Sequence, residues 1–144
     1  MRKAVLVCFI LFMIQIPIYS QGQTRFMLSG GMDVIKTDIQ KSFDKYQLGL
    51  ELDYFLKQKI SLNAGYEIWS ASQNYYSVGV RYYLFSFVFF RPRILINEDD
   101  VNGSIALGYK YFLSRRVGWV SNMEYYFSPS AFAIRTGISY TFTR

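Results

Sequence analysis

Apolar and polar residues alternate along most of the chain after about residue 24. The pattern is clearest in the last stretch, where Phe132, Ile134, Ile138, Tyr140 and Phe142 occupy every second position apart from Thr136. The positions between them are small, polar or charged. Successive side chains of a β-strand point to opposite faces, so this alternation predicts a strand with one apolar and one polar face. No helical period competes with it in this part of the chain.

The same alternation predicts eight strands, each about ten residues long. Short turns at 57–59, near Ser86 and at 114–116 alternate with loops at 35–44, 70–74, 97–102 and 128–131. The turn near Ser86 is the least distinct, because residues 84–90 are almost all apolar. The predicted strands are Thr24–Val34, Lys45–Phe55, Ile60–Trp69, Tyr75–Phe85, Phe87–Ile96, Gly103–Leu113, Val117–Phe127 and Phe132–Phe142.

The chemistry of the two strand faces indicates which face meets which solvent. Leucine, isoleucine, valine, tyrosine and phenylalanine form one face, and glycine, serine, asparagine and charged residues form the other. The interior of an eight-stranded barrel is only wide enough to be filled by side chains, so bulky residues from every strand would crowd it. Glycines such as Gly49 and Gly65 suit a narrow interior. We therefore predict an all-β fold, an eight-stranded antiparallel up-and-down transmembrane β-barrel whose apolar face touches lipid.

Tyrosines near the predicted strand ends favour the same orientation. Aromatic side chains collect where a membrane barrel meets the lipid headgroups. The alternative is a secreted soluble barrel with the opposite facing, which would bind an apolar ligand inside. The tyrosines expected in the belt are Tyr46, Tyr54, Tyr76, Tyr82, Tyr111, Tyr125 and Tyr140.

The N-terminal segment has the layout of a secretory signal peptide. Arg2 and Lys3 precede an apolar run from Ala4 to Ile14, and the small residue Ser20 follows. A membrane-spanning helix takes about 20 apolar residues, so the length of the run argues against an uncleaved anchor. We expect residues 1–20 to be a cleaved signal peptide and residues 21–144 to form the barrel domain.

Charged residues on the predicted inner face are numerous enough to form a network. A buried charge without a partner costs several kcal/mol, so we expect these groups to pair and fill the barrel. A narrow or gated path for ions or small solutes is the functional alternative. The interior set is Glu51, Asp53, Glu67, Arg81, Arg91, Arg93, Lys110, Glu124 and Arg135.

The residue types argue against the common forms of catalysis. The chain has no histidine, and its one cysteine, Cys8, lies in the expected signal peptide. Without these groups the usual general bases and thiol nucleophiles are missing, and no phosphate-binding or metal-ligand motif occurs. The acidic run Glu98-Asp99-Asp100 lacks the spaced oxygen ligands of a calcium loop. We expect no enzyme activity, catalytic residue, cofactor, metal or nucleic-acid partner.

A loose repeat of glycine, apolar, polar and apolar residues runs through the chain and ends it as Gly137-Ile-Ser-Tyr-Thr-Phe142. This pattern resembles the small outer-membrane barrels of the OmpA and OmpX kind. The ending resembles the C-terminal strand that such proteins present to the barrel assembly machinery, with Gly137, Ile138, Tyr140 and Phe142 as its signal. Here Thr143 and Arg144 follow the aromatic residue on which the family usually ends.

The resemblance implies a monomer in the outer membrane of a Gram-negative cell. Its expected partners are outer-membrane lipid, the barrel assembly machinery and an unidentified surface ligand. The expected role is structural or one of surface interaction.

Overall fold

The computed structural model describes residues 26–37, 47–69, 73–128 and 130–142. They form a closed barrel in which each strand pairs antiparallel with its sequence neighbours and β8 pairs with β1. The all-β, eight-stranded antiparallel fold predicted from the alternation is therefore confirmed. The strands are β1 (Phe26–Lys36), β2 (Gln47–Lys57), β3 (Ile60–Trp69), β4 (Gln73–Tyr83), β5 (Val88–Ile96), β6 (Val101–Phe112), β7 (Val117–Tyr126) and β8 (Ala131–Phe142).

The connections divide the barrel into two different ends. The turns at 58–59, 84–87 and 113–116 lie at one end, together with the first residue of β1 and the last of β8. We call this the turn end. The last residues of β1, β3, β5 and β7 and the first residues of β2, β4, β6 and β8 lie at the opposite end, which we call the loop end.

The first strand continues two residues past its predicted end at Val34, so the expected start of a loop at Ile35 is wrong. Ile35 pairs with Ile134 and Lys36 with Ala133, after a bulge between Asp33 and Ile35. A bulge places one extra residue in a strand and reverses the facing of the residues after it. Lys36 thereby turns to the inside, where its Nζ lies 4.5 Å from the centre of the Trp69 ring.

The fourth strand also differs in its limits from the prediction. It spans Gln73–Tyr83 and not Tyr75–Phe85, because Leu84 and Phe85 belong to the turn into β5. A shift of two residues preserves which side chains face inward. In the predicted strand Gly103–Leu113, the alternation assigns Phe112 to the same inner face as Lys110. Phe112 is exposed instead, because it is the last residue of β6 at the turn end.

The facing of the strands agrees with the membrane-barrel prediction. Leu50, Tyr109 and Ile138 are 60%, 45% and 54% exposed on the outside of the barrel. Their strand neighbours Glu51 and Lys110 are 5% and 4% exposed and lie inside. The core of this protein is therefore polar and its surface is apolar, the reverse of a water-soluble barrel.

Aromatic side chains ring the outer face near both ends. Of the tyrosines expected there, Tyr76, Tyr82, Tyr111 and Tyr140 are exposed, and Tyr54 and Tyr125 are half-buried. The turn end also carries Phe26, Phe90, Trp119 and Phe142.

Several expectations fall outside the described residues. They are the signal peptide 1–20, the first residues of the predicted strands at Thr24 and Lys45, Tyr46, and the tail Thr143-Arg144. In the part of the chain that is described, no helix is long and apolar enough to cross a membrane.

Candidate functional site: the charged lumen

All nine charged residues predicted to face inward are buried in the barrel. Asp33 joins them as a tenth. Among the described residues, the buried charged groups are five carboxylates and five bases, so their formal charges cancel. The carboxylates are Asp33, Glu51, Asp53, Glu67 and Glu124, and the bases are Arg81, Arg91, Arg93, Lys110 and Arg135.

Glu51 on β2 is the centre of the network. It accepts a hydrogen bond of 2.8 Å from Arg81 Nη2, and both of its oxygens accept from Arg91 Nη1. Arg93 Nη1 donates to Glu51 Oε1 over 3.2 Å, and Arg135 Nη1 lies 3.6 Å from the same oxygen. One carboxylate thus holds four guanidinium groups from three strands, a planar arrangement that lysine could not reproduce.

A second set of contacts closes the network toward the loop end. Arg93 pairs with Glu67 and donates from Nε to Glu124 Oε1 over 2.6 Å. Arg135 donates to Asp33 Oδ1 and to Glu67 Oε1, both over 2.6 Å. These residues lie on five strands, so the ion pairs connect the barrel wall across its diameter.

Toward the turn end the network is smaller. Arg81 Nη1 lies 3.0 Å from Asp53 Oδ2, and Ser61 donates to the other oxygen of Asp53. Lys110 is different, because no described carboxylate lies within ion-pair distance of it. Its Nζ contacts Met27 Sδ at 3.1 Å and Thr141 Oγ1 at 3.4 Å.

Apolar layers enclose the network on both sides. At the loop end Trp69 packs 4.4 Å from Tyr75 and 5.8 Å from Tyr126, measured between ring centres, and Leu95 completes the cluster.

At the turn end Tyr83 packs against Phe55 and Phe89, with Met27 fully buried nearby. The charges therefore sit in a middle layer of low dielectric, where an ion pair is strong and an unpaired charge is costly.

Glycines make room for the large charged side chains. A Cβ at Gly49 would lie 3.1 Å from Arg135 Nη1, and one at Gly118 would lie 2.7 Å from Lys110 Cε.

A small cavity beside Glu51, Arg91 and Asn122 has room for one or two water molecules. In the described residues, no group of acidic side chains is arranged to hold a metal ion.

Sequence reasoning missed two members of the network. Asp33 lies on the predicted inner face of β1 but was not counted among the paired charges. Tyr126 accepts hydrogen bonds from Gln47, Arg93 and Arg135 through its hydroxyl, and donates to Asp33 Oδ2 over 3.3 Å. Its position two residues after Glu124 was the available signal, since both fall on the same face of β7.

The expected assembly signal lies on β8, the strand that closes the barrel. Ile138, Tyr140 and Phe142 face outward, and Gly137 pairs with Gly31 of β1. A Cβ on Gly137 would overlap the backbone of Gly30 and Gly31. The two terminal strands therefore approach closely only because this position has no side chain.

No protein-family model and no curated protein sequence matches the chain. Solved structures do resemble it. A de novo designed transmembrane β-barrel has a TM-score of 0.69 and 18% identity, covering 83% of this chain and 96% of the other. The designed barrel TMB2.3 has a TM-score of 0.64 and 20% identity, covering 84% of this chain and 96% of the other. The N-terminal β-barrel domain of Pseudomonas aeruginosa OprF has a TM-score of 0.63 and 15% identity, covering 85% of this chain and 100% of the other. The chain thus has the fold of transmembrane β-barrels.

Proposed function

We propose that this chain is a non-enzymatic outer-membrane β-barrel whose lumen is plugged by its charged network. Its role is structural or one of surface interaction at the loop end. The observation that carries the proposal is the inversion of the barrel, with Leu50 outside and Glu51 inside. An apolar wall of this kind is stable in lipid, whereas in water it would promote association.

The height of the apolar wall supports a membrane location. On β8 the exposed aromatic residues Phe132 and Tyr140 lie eight positions apart. At about 3.3 Å per residue they are about 26 Å apart along the strand, or about 20 Å along the barrel axis for a tilt of about 40°. An apolar band of about 25 Å is usual for outer-membrane barrels.

Envelope fractionation with a gel-mobility test examines this proposal. The protein should sediment with the outer-membrane fraction and partition into detergent, and unheated samples should migrate differently from boiled ones. Recovery in the soluble periplasmic fraction, without detergent, would overturn the membrane location.

A conductance measurement separates the plugged barrel from a narrow channel. The paired arginines and the apolar layers at both ends, all within the described part of the chain, support a closed lumen. We therefore expect no stable current steps from the purified barrel in a planar bilayer. Reproducible steps would favour the ion or small-solute channel instead.

The outward pattern of β8 supports recognition by the barrel assembly machinery. Tyr140 and Phe142 project from the wall beside the β1–β8 junction, where an assembling barrel has its free edge. Replacing Phe142 with alanine should reduce the folded fraction in cells but leave refolding of the purified chain in detergent unchanged. Equal loss in both settings would mean that Phe142 serves stability alone.

A further inference from the structure

The turn end carries a concentration of positive charge. Lys57, Lys59, Arg115 and Arg116 are all exposed there. The turn residues 57–59, 84–87 and 113–116 include no acidic residue. None of the four bases forms an ion pair within the described residues, so their charge faces outward.

The bases lie on two sides of an apolar turn. The β2–β3 and β6–β7 turns are four strands apart in the closed order, so they occupy opposite sides of the barrel mouth. Between them the β4–β5 turn exposes Leu84, Phe85 and Phe87 at 44%, 64% and 46%. Turn residues in contact with water are usually polar or glycine, so the composition of this turn indicates contact with an apolar environment.

The local packing places these groups at the level of the outer aromatic residues. Phe87 packs 5.5 Å from Tyr109 and 6.1 Å from Phe85, between ring centres. Arg116 Nη1 donates to the hydroxyl of Tyr140 over 3.4 Å. Aromatic belts mark the headgroup region of a bilayer, so the guanidinium of Arg116 sits at the height of lipid phosphates.

At the loop end, the described connection between β5 and β6 carries the opposite charge. The β5–β6 connection exposes Glu98, Asp99 and Asp100 and holds no base. The described surface is thus polarised along the barrel axis, with positive charge at one rim and negative charge at the other.

We infer that the turn end is a binding surface for anionic phospholipid. The inference rests on the membrane location proposed above and adds the lipid chemistry of one leaflet. The four bases attract headgroup phosphates on both sides of the barrel mouth, and Leu84, Phe85 and Phe87 enter the apolar part of the same leaflet. Each lysine or arginine near an anionic surface adds to the attraction, and salt weakens it.

This binding agrees with the insertion usual for outer-membrane barrels, in which the short turns face the periplasm. The turn end faces the phospholipid leaflet, and the acidic β5–β6 loop projects from the other side. Because one turn is apolar and its two neighbours are basic, the β4–β5 side lies deeper in the leaflet than the other two turns.

The binding experiment uses the full folded barrel in detergent micelles with added lipid. Native mass spectrometry counts the bound molecules of phosphatidylglycerol, phosphatidylcholine and lipid A. We expect phosphatidylglycerol to be preferred over phosphatidylcholine by about tenfold, and the preference to fall as salt is raised. Equal binding of these two lipids, or a preference for lipid A over phosphatidylglycerol, would overturn the inference.

Matched variants assign the preference to the turn end. The quadruple change K57Q/K59Q/R115Q/R116Q should abolish it, and the control E98Q/D99N/D100N at the loop end should retain it. An unchanged preference in the quadruple variant would contradict the inference. A barrel that fails to enter membranes would refute the proposed function, whereas a membrane-embedded barrel without lipid preference refutes only this inference.

Discussion

At the scale of single residues, removal of the Glu51 carboxylate should lower the free energy of unfolding more than removal of any other charged group in the network. Four guanidinium groups approach its carboxylate, and it is 5% exposed. Removing one partner of a buried ion pair leaves charge uncompensated in a region of low dielectric. Each of these arginines keeps another carboxylate, from Asp33, Asp53, Glu67 or Glu124, but the buried charges then no longer cancel.

The change Glu51→Gln should lower the free energy of unfolding by about 3–5 kcal/mol, since the glutamine amide leaves four arginines without their shared anion. Urea unfolding of the barrel in phosphatidylcholine vesicles, followed by tryptophan fluorescence, measures this loss. The control Glu98→Gln, in an exposed loop, should unfold like the parent protein. Equal stability of the two variants would show that Glu51 is not the centre of the network.

Lys110 should behave in the opposite way. It is buried, and among the described residues its Nζ contacts Met27, Thr141 and the Phe112 ring but no carboxylate. Replacing a poorly compensated buried charge with an apolar side chain of similar length is often stabilising, so Lys110→Met should raise the free energy of unfolding by about 1 kcal/mol or more. The same unfolding assay applies, with the exposed Lys57→Met as control. A decrease in the free energy of unfolding comparable to that of Glu51→Gln would mean that an interaction of the ammonium group stabilises its buried charge.

At the scale of elements, the junction of β1 and β8 decides whether the sheet closes. Gly30 and Gly31 of β1 face Ile138 and Gly137 of β8, and the backbones meet where Gly137 has no Cβ. A side chain there would push against main-chain atoms, which have less freedom to move than a flexible side chain. A Cβ at Gly30, in contrast, would meet only Leu50 Cδ2 at 3.3 Å and the Gly49 carbonyl oxygen at 3.9 Å.

The change Gly137→Ala should therefore reduce the fraction of barrel that refolds to the closed, heat-modifiable form. Gly30→Ala, in the same junction, should refold nearly as well as the parent protein, because Leu50 can move aside. Densitometry of unheated and boiled gel samples measures the folded fraction. If both variants closed equally well, the tight approach at Gly137 would not be required for barrel closure.

The elements also show what the sequence could and could not predict. Period two assigns a side chain to a face whatever the strand limits, so the error of two residues in β4 left Arg81 correctly inside. The bulge after Asp33 was not predicted, because the two adjacent apolar residues Val34 and Ile35, which break the alternation there, also fit the end of a strand. The ion-pair partners of each arginine could not be predicted from the sequence either, since they depend on which side chains from opposite walls meet across the lumen.

At the scale of the whole molecule, the facing of the wall distinguishes a membrane barrel from a soluble one. The eight-stranded closure requires only that the two faces differ, and both orientations satisfy the alternation. The two kinds of barrel differ in whether the apolar face lies on the outside, where it meets lipid, or on the inside. Leu50 lies between Leu48 and Leu52 on the outer face of β2, away from both ends of the strand, and all three are exposed.

An arginine in place of Leu50 should therefore have little effect on stability if the wall meets water, and should lower the free energy of unfolding if the wall meets lipid. In phosphatidylcholine vesicles, Leu50→Arg should lower the free energy of unfolding by about 2–4 kcal/mol, as expected near the bilayer midplane. Leu113 is similarly exposed but lies in a turn at the barrel end. Leu113→Arg should cost about 0–1 kcal/mol, because its guanidinium reaches the headgroups. A wall in contact with water would show no such dependence on depth, so equal and negligible effects of the two arginines would refute the proposal that this barrel spans a membrane.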